Sequence, residues 1–269
     1  MTTVATWRRR WRATGLGMAA AATVLAGCAD RSAAPAAPTA PAAPVVTATA
    51  APESGGATSA VPSSAPPRPG CAPTGAAVPA GASVARTADL DHDGAPDELW
   101  LADVRGQRLL GVRTASGAVF STAFTSAAPQ RASAVGQALG PDLSIVLLDA
   151  GRSVPLYAVA DCQLTPTQNP QGQQYTFDLG FTGFGTGVGC EPAHTGGQRW
   201  DLYGLLAHQA GAGWTVTGTR IDLGESGRTA HNGPSSDLVT GADGQAAAVQ
   251  AARTVTCGDQ TSGPREPES

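Results

Sequence analysis

The chain contains no lysine, and all 17 of its basic residues are arginine. Charged residues make up 14% and aromatic residues only 5% of the 269 positions. Without lysine, the glycine-rich stretch Gly180–Cys190 cannot be a phosphate-binding loop, which ends in Lys-Ser/Thr. The cysteines and histidines lack the short paired spacings of structural zinc sites, and there is no G-x-S-x-G nucleophile elbow. The sequence therefore contains no familiar catalytic motif.

The first 28 residues are organised like an export signal. Arginines at positions 8, 9, 10 and 12 precede an uncharged run from Ala13 to Gly27, which is short for a membrane span. The run ends in Leu25-Ala26-Gly27-Cys28, which resembles the bacterial lipobox. The alternative is an ordinary signal peptide followed by a chance cysteine. Because Arg12 stands where a twin-arginine signal has an apolar residue, both Sec and twin-arginine export stay open.

The lipobox resemblance implies that residues 1–27 are removed and that the Cys28 thiol carries a diacylglycerol. Acyl chains contribute about 0.8 kcal/mol per buried CH₂, so two or three of them anchor a protein at the extracytoplasmic face of the cell membrane. The mature chain would carry 13 arginines against 21 acidic residues, a formal charge of −8. A net acidic surface without basic runs argues against nucleic-acid binding.

Composition divides the rest of the chain into a linker, a domain and a tail. Residues 28–70 are mostly alanine, proline, serine and threonine, which bury too little apolar surface to offset the entropy of ordering. We expect a lipid-anchored, disordered linker there, extended by its prolines to about 3 Å per residue. Residues 71–257 suffice for one domain with a full core, and residues 258–269 are predicted to be a disordered tail.

Four cysteines follow Cys28, and an even number in an exported chain predicts two disulfides. Three pairings are possible. We favour Cys71 with Cys162 and Cys190 with Cys257, because pairing in sequence order closes the shorter loops. Each disulfide is expected to contribute roughly 2–4 kcal/mol to stability.

Short apolar runs rich in Val, Thr, Tyr and Trp recur between Gly, Pro, Asn and Asp residues across the predicted domain. This texture predicts an all-β fold of about ten to twelve strands. Residues 96–117 and 141–162 superimpose with an offset of about 45 residues, a period that propeller blades show. A β-sandwich of hairpins explains the same strands, so a β-propeller-like domain and a β-sandwich both stay open. Residues 244–255 are predicted to be either one short helix or a last strand.

The stretch ADLDHDGAPDEL, residues 88–99, places five acidic side chains within ten residues. Asp89, Asp91 and Asp93 alternate along the chain, Gly94 follows, and Asp97 is the ninth residue counted from Asp89. Ca²⁺ takes six to eight oxygen ligands, and a glycine permits the turn that brings alternate side chains round one point. Without a cation, four carboxylates this close would repel one another. The spacing therefore predicts a bound Ca²⁺, and the alternative is a solvated acidic turn.

The same loop resembles the calcium loops of FG-GAP and VCBS-type repeats, in which an apolar strand follows the motif, as DELWL does here. It is not an EF-hand, because Trp100 stands where that motif has a bidentate Glu. The resemblance covers one copy of the loop and implies five ligands: Asp89, Asp91, Asp93, the Ala95 carbonyl and Asp97. Such calcium ions usually brace a fold, so we favour a structural role over a ligand-bridging one.

We therefore expect a cell-surface lipoprotein whose non-catalytic, calcium-stabilised β domain binds or scaffolds in the cell envelope. Its expected partners are the membrane, through the lipid, and a cell-wall glycan or an envelope protein. One alternative is a carbohydrate-binding module, which predicts exposed Trp or Tyr in a shallow groove. Another is a cell-wall hydrolase or other envelope enzyme, which predicts a deep cleft with converging acidic or His side chains away from the acidic loop.

Overall fold

The computed structural model describes residues 69–180, 185–194 and 197–268, with Glu225 described by its backbone alone. The described residues belong to one compact unit. The predicted signal peptide, the lipidation residue Cys28 and residues 28–68 of the predicted linker lie outside them. Among the helices in the described ranges, none has the length and apolar character needed to cross a membrane.

In the described ranges, thirteen strands form three antiparallel sheets, and in each sheet four consecutive strands form a meander. Sheet 1 contains β1 (Ser83–Arg86), β2 (Glu98–Val104), β3 (Gln107–Arg113) and β4 (Val119–Ala123). Sheet 2 contains β5 (Ser133–Gly140), β6 (Leu143–Asp149), β7 (Ser153–Ala160) and β8 (Gln163–Pro166), with β9 (Thr176–Asp178) also paired to β7. Sheet 3 contains β10 (Thr186–Pro192), β11 (Trp200–Ala210), β12 (Gly213–Gly224) and β13 (Thr229–Ala242).

The predicted all-β fold is confirmed, and three sheets that do not close into a barrel fit the β-sandwich alternative. The strands number thirteen in the described ranges, slightly above the expected ten to twelve. The two segments that superimpose in sequence supply the hairpins β2–β3 and β6–β7 of successive sheets. In the C-terminal segment, α1 (Ala247–Ala251) is a short helix, and a 3-10 turn (Glu225–Gly227) joins β12 to β13.

Sheet 2 is buried on both faces. Along β6, Val146 and Leu148 pack into one apolar cluster with sheet 1, while Ile145 and Leu147 pack into another with sheet 3. This explains why LSIVLLD is a continuous apolar run rather than an alternating one. A third cluster, on the opposite face of sheet 3, contains Val249 of α1.

Disulfides join Cys71 to Cys162 and Cys190 to Cys257, the pairing favoured from loop length. Cys162 lies in the two-residue turn between β7 and β8, where Asp161 and Cys162 have φ angles of 51° and 58°. Two consecutive positive φ angles are typical of the tight hairpin turns that match strand twist. The first disulfide thereby fastens the segment that precedes sheet 1 to an edge of sheet 2.

The predicted disordered tail needs a correction, because residues 258–268 lie along the domain. Ala134 N donates to the Pro264 carbonyl and Glu266 N donates to the Ala132 carbonyl, so the segment continues sheet 2 beside β5. Glu266 is buried, and its carboxylate accepts hydrogen bonds from the Arg108 guanidinium and from Ala132 N. Burial alone would raise the pKa of Glu266, but these donors lower it below its usual value. The polar composition of residues 258–269 gives no indication of this buried ion pair.

Candidate metal centre at the acidic loop

The acidic loop connects β1 to β2 and is folded by its own carboxylates. The two carboxylate oxygens of Asp89 accept hydrogen bonds from Asp93 N at 3.1 Å and from Gly94 N at 2.8 Å. Asp93 Oδ1 accepts one from Ala95 N at 2.7 Å. His92 and Gly94 have φ angles of 62° and 94°, and Gly94 adopts its angle without the steric cost that a side chain brings. These turns direct alternate side chains to one side of the loop.

Three of the four predicted carboxylate ligands converge. One oxygen from each of Asp89, Asp91 and Asp97 lies within 4.8 Å of the others. The side chain of Asp93 lies outside this group of three, and its Oδ1 is engaged by Ala95 N. Ala95 is half-buried in the loop, where its predicted ligand is the carbonyl oxygen.

Asp97 fixes the loop to the domain from the inside. It is 1% exposed, and its Oδ2 accepts from Leu90 N at 2.7 Å while its Oδ1 accepts from Ala115 N at 2.9 Å. Leu90 is itself buried in the cluster between sheets 1 and 2. The Asp97 side chain thus joins the loop, the start of β2 and the turn after β3.

Gly70 and Cys71, in the segment that precedes sheet 1, lie against the acidic loop. The sequence did not reveal this contact. Cys71 N donates to Asp91 Oδ2 at 2.8 Å. A Cβ on Gly70 would lie 2.7 Å from that oxygen and 2.8 Å from Asp93 Oδ2, so only glycine fits there. Asp91 Oδ1 is inaccessible to solvent and has no hydrogen-bond partner among the residues that the structure describes. An unpaired buried carboxylate oxygen is costly, which indicates that its partner is a group outside the described chain.

Burial and repulsion between neighbouring carboxylates raise the pKa values of Asp91 and Asp97. Burial raises the pKa of Asp97 to about 6 against the hydrogen bonds from Leu90 and Ala115, and repulsion from Asp91 and Asp89 adds to the rise. Burial is also the largest cause of a raised pKa at Asp91, with further repulsion from Asp93 and Asp89. No arginine is among the groups that shift either pKa. A bound cation would offset the repulsion between the carboxylates and stabilise their ionised forms.

Stability in the absence of a cation is expected to fall as the pH rises from about 4 to about 6. The folded-state pKa of Asp97 is raised, so the folded protein binds more protons than the unfolded chain across this interval. The ionisation of Asp97 is expected to lower the free energy of unfolding by about 2–3 kcal/mol across this pH interval. Urea unfolding at pH 4.5 and pH 7.5 in EDTA measures it.

Calcium is expected to reverse this trend, because it binds the ionised carboxylates and its stabilisation grows as the pH rises. Protection by calcium that is as large at pH 4.5 as at pH 7.5 would contradict the assignment of Asp97 as a ligand.

His92, which lies between Asp91 and Asp93 in the acidic loop, contacts sheet 2. Its Nε2 lies 3.1 Å from Oγ of the buried Ser144 in β6, which gives the loop a second contact with sheet 2. Every Trp and Tyr in the described ranges is buried or half-buried, including Trp200 and Trp214. The exposed aromatic platform that a carbohydrate-binding module predicts is therefore not found among the described residues. Phe181 and Phe184 of the glycine-rich stretch lie outside the described ranges.

Comparisons with known proteins find no matching family model, no matching curated protein and no matching solved structure.

Proposed function

We propose that Asp89, Asp91 and Asp97 hold one Ca²⁺ ion that braces the β1–β2 loop. The observation that carries the proposal is the convergence of three carboxylate oxygens within 4.8 Å, beside a buried Asp91 oxygen that has no partner. Carboxylate oxygens are the ligands that hard cations prefer, and a divalent ion supplies both the missing partner and the missing positive charge. Asp93 and the Ala95 carbonyl are the further ligands that the loop resemblance implies.

The role proposed for this ion is structural. Asp97 is almost fully buried, and Asp91 is fastened by the backbone of Cys71, so two ligands face the interior of the domain. An ion placed there links the segment before sheet 1, the loop and the turn after β3. When bound, the ion neutralises the carboxylates, and the chain's own residues supply the rigid frame.

We infer that this domain serves in the cell envelope as a non-catalytic binding or scaffolding unit, held at the membrane by a lipid on Cys28. Support comes from the sequence Leu25-Ala26-Gly27-Cys28 and from two disulfides, which are typical of exported proteins. The predicted membrane, wall glycan and envelope-protein partners belong to this proposal.

The anchor is tested by replacing Cys28 with alanine in the full chain. The unaltered protein is expected in the membrane fraction, and mass spectrometry of its mature N-terminus is expected to show a diacylglycerol adduct on Cys28. Cys28→Ala is expected to lose both the adduct and the membrane association, since two acyl chains supply the binding energy. Cys162→Ala is a control for cysteine loss, because it leaves the lipobox intact. An unmodified Cys28 in the mature protein would refute the anchor.

A further inference from the structure

A polar groove of about 670 Å³ lies on sheet 3 and shares no lining residue with the acidic loop. Its floor is one face of the sheet, where Leu206 pairs with Thr186 on one side and Thr217 on the other, and Gly204 pairs with Thr219. Its wall is the segment 169–178, which leads into β9. The volume lies within the roughly 300–1,000 Å³ of small-ligand sites.

Side-chain amides and hydroxyls supply most of the polar groups in the lining of this groove. The amides belong to Asn169, Gln171, Gln174 and Asn232, and the threonine hydroxyls to Thr176, Thr186, Thr217 and Thr219. Both kinds of group donate and accept hydrogen bonds. Asp178 and His231 are the chargeable lining groups apart from the Tyr175 phenol, and no arginine lines the groove among the described residues. A phosphate-bearing or otherwise anionic ligand would find no permanent cation there, so the lining favours a neutral ligand rich in hydroxyl groups.

Asn232 is fixed in position by a buried residue. The Tyr175 hydroxyl donates to Asn232 Oδ1 at 2.5 Å, and the Tyr175 ring packs edge-on against Phe177 with centroids 5.2 Å apart. Burial raises the pKa of Tyr175 to about 12, so its hydroxyl keeps its proton. Because the amide oxygen of Asn232 is held in this way, its two N–H groups are left as donors at the exposed side of the groove.

Asn169 is held in a similar manner next to the start of β13, where Ala230 N donates to the Gln168 carbonyl. Its Oδ1 accepts hydrogen bonds from the backbone N–H groups of Gln171 and Gln173, each at 3.0 Å. Because its oxygen is engaged in this way, the amide nitrogen of Asn169 is the group left to donate to a ligand. Two oriented amides lower the entropic cost of binding, since fewer side chains must be ordered when the ligand arrives.

The central strands of the floor favour a sugar ring over an added peptide strand. A peptide that adds a strand needs an unpaired sheet edge, and the central floor strands β11 and β12 are each paired on both sides, although the edge strands β10 and β13 also contribute lining residues. The apolar side chain of Leu206 instead offers a surface for the C–H face of a sugar ring, whereas Phe177 and Ile221 are buried. Leu206 is 41% exposed, unusual for a large apolar side chain in this domain.

We propose that this groove binds a neutral glycan through Asn232, Asn169 and the threonine hydroxyls of sheet 3. The proposal rests on the proposed envelope-binding function and gives it a ligand class. The site relies on oriented amides and on the exposed Leu206 side chain, and it needs no exposed aromatic ring.

Saturation-transfer NMR on the full chain tests the groove, with chitotetraose and cellotetraose as separate neutral probes. At least one probe is expected to bind the unaltered protein. Asn232→Ala is expected to weaken that binding about tenfold, the loss of roughly one hydrogen bond to a polar ligand. Tyr175→Phe keeps the ring and removes the hydroxyl that orients Asn232, so it is expected to weaken binding less. Gln209→Ala, an exposed amide on β11 outside the groove, is the matched control and is expected to bind normally.

Binding of neither probe at millimolar concentration would overturn the inference, and so would equal binding by Asn232→Ala and the unaltered protein. Melting curves of each variant show whether it folds, and Asn232 is exposed, so its loss leaves the core intact. The proposed function has separate readouts, the lipid on Cys28 and stabilisation by calcium. These two readouts therefore test the proposed function independently of whether the sugar probes bind.

Discussion

Replacing Asp97 with alanine is expected to lower the free energy of unfolding by about 3–5 kcal/mol in calcium. The substitution leaves the backbone N–H groups of Leu90 and Ala115 without an acceptor in a site that is 1% exposed. Each orphaned buried donor costs about 1–3 kcal/mol. The variant is also expected to lose most of the stabilisation by calcium, because a proposed ligand is gone. Urea unfolding in calcium and in EDTA measures both effects.

Asp93→Ala, compared with Asp97→Ala in EDTA, is the matched control in the same loop, because without calcium the ligand role that the loop resemblance implies for Asp93 has no effect. The Asp93 carboxylate lies outside the group of three, and it accepts a hydrogen bond from Ala95 N within the half-buried loop. Its loss is expected to cost only about 1 kcal/mol. If the two variants unfold at the same urea concentration, Asp97 does not have the structural role that its hydrogen bonds indicate.

Removing the Cys71–Cys162 disulfide is expected to destabilise the domain by about 4 kcal/mol and also to weaken calcium binding. The disulfide closes a loop with a sequence separation of 91, and long loops give the larger entropic contributions. It also fixes Cys71, whose backbone N–H donates to Asp91. A double Cys71→Ser, Cys162→Ser variant, studied by urea unfolding and by calorimetric calcium titration, tests both parts.

The second disulfide provides the comparison. Cys190 and Cys257 have a sequence separation of 67, and neither belongs to the acidic loop. A double Cys190→Ser, Cys257→Ser variant is expected to lose similar stability but to bind calcium normally at a temperature where it stays folded. Equal calcium affinity in both double variants would show that Cys71 does not position Asp91.

The sequence was sufficient for the strands but not for the way they stack. Alternating and continuous apolar runs both predict β-strands. The run LSIVLLD is continuous because β6 packs against sheet 1 on one face and sheet 3 on the other. The pattern of apolar residues along a strand shows which of its faces are buried, but it does not show which sheet packs against each face. The offset between residues 96–117 and 141–162 likewise described hairpins, which a propeller and a sandwich share.

In the acidic loop, the spacing predicted that alternate carboxylates converge, and one oxygen from each of Asp89, Asp91 and Asp97 lies within 4.8 Å of the others, because all three belong to one tight loop. The contacts from Gly70 and Cys71 were missed, since they come from a segment 20 residues away and depend on the disulfide to sheet 2. The buried Glu266 was missed for a similar reason. Its partner Arg108 is 158 residues distant in sequence, and a polar segment gives no sign of such a contact.

Thermal melting of the full chain in calcium and in EDTA tests the central claim most directly. If the acidic loop holds a calcium ion in the folded state alone, Tm must rise with the free calcium concentration. At one hundred times the dissociation constant, calcium binding stabilises the folded state by about 2.7 kcal/mol. Magnesium at the same concentration is expected to do less, because it requires near-ideal octahedral geometry. Identical melting curves in calcium and in EDTA would contradict the account.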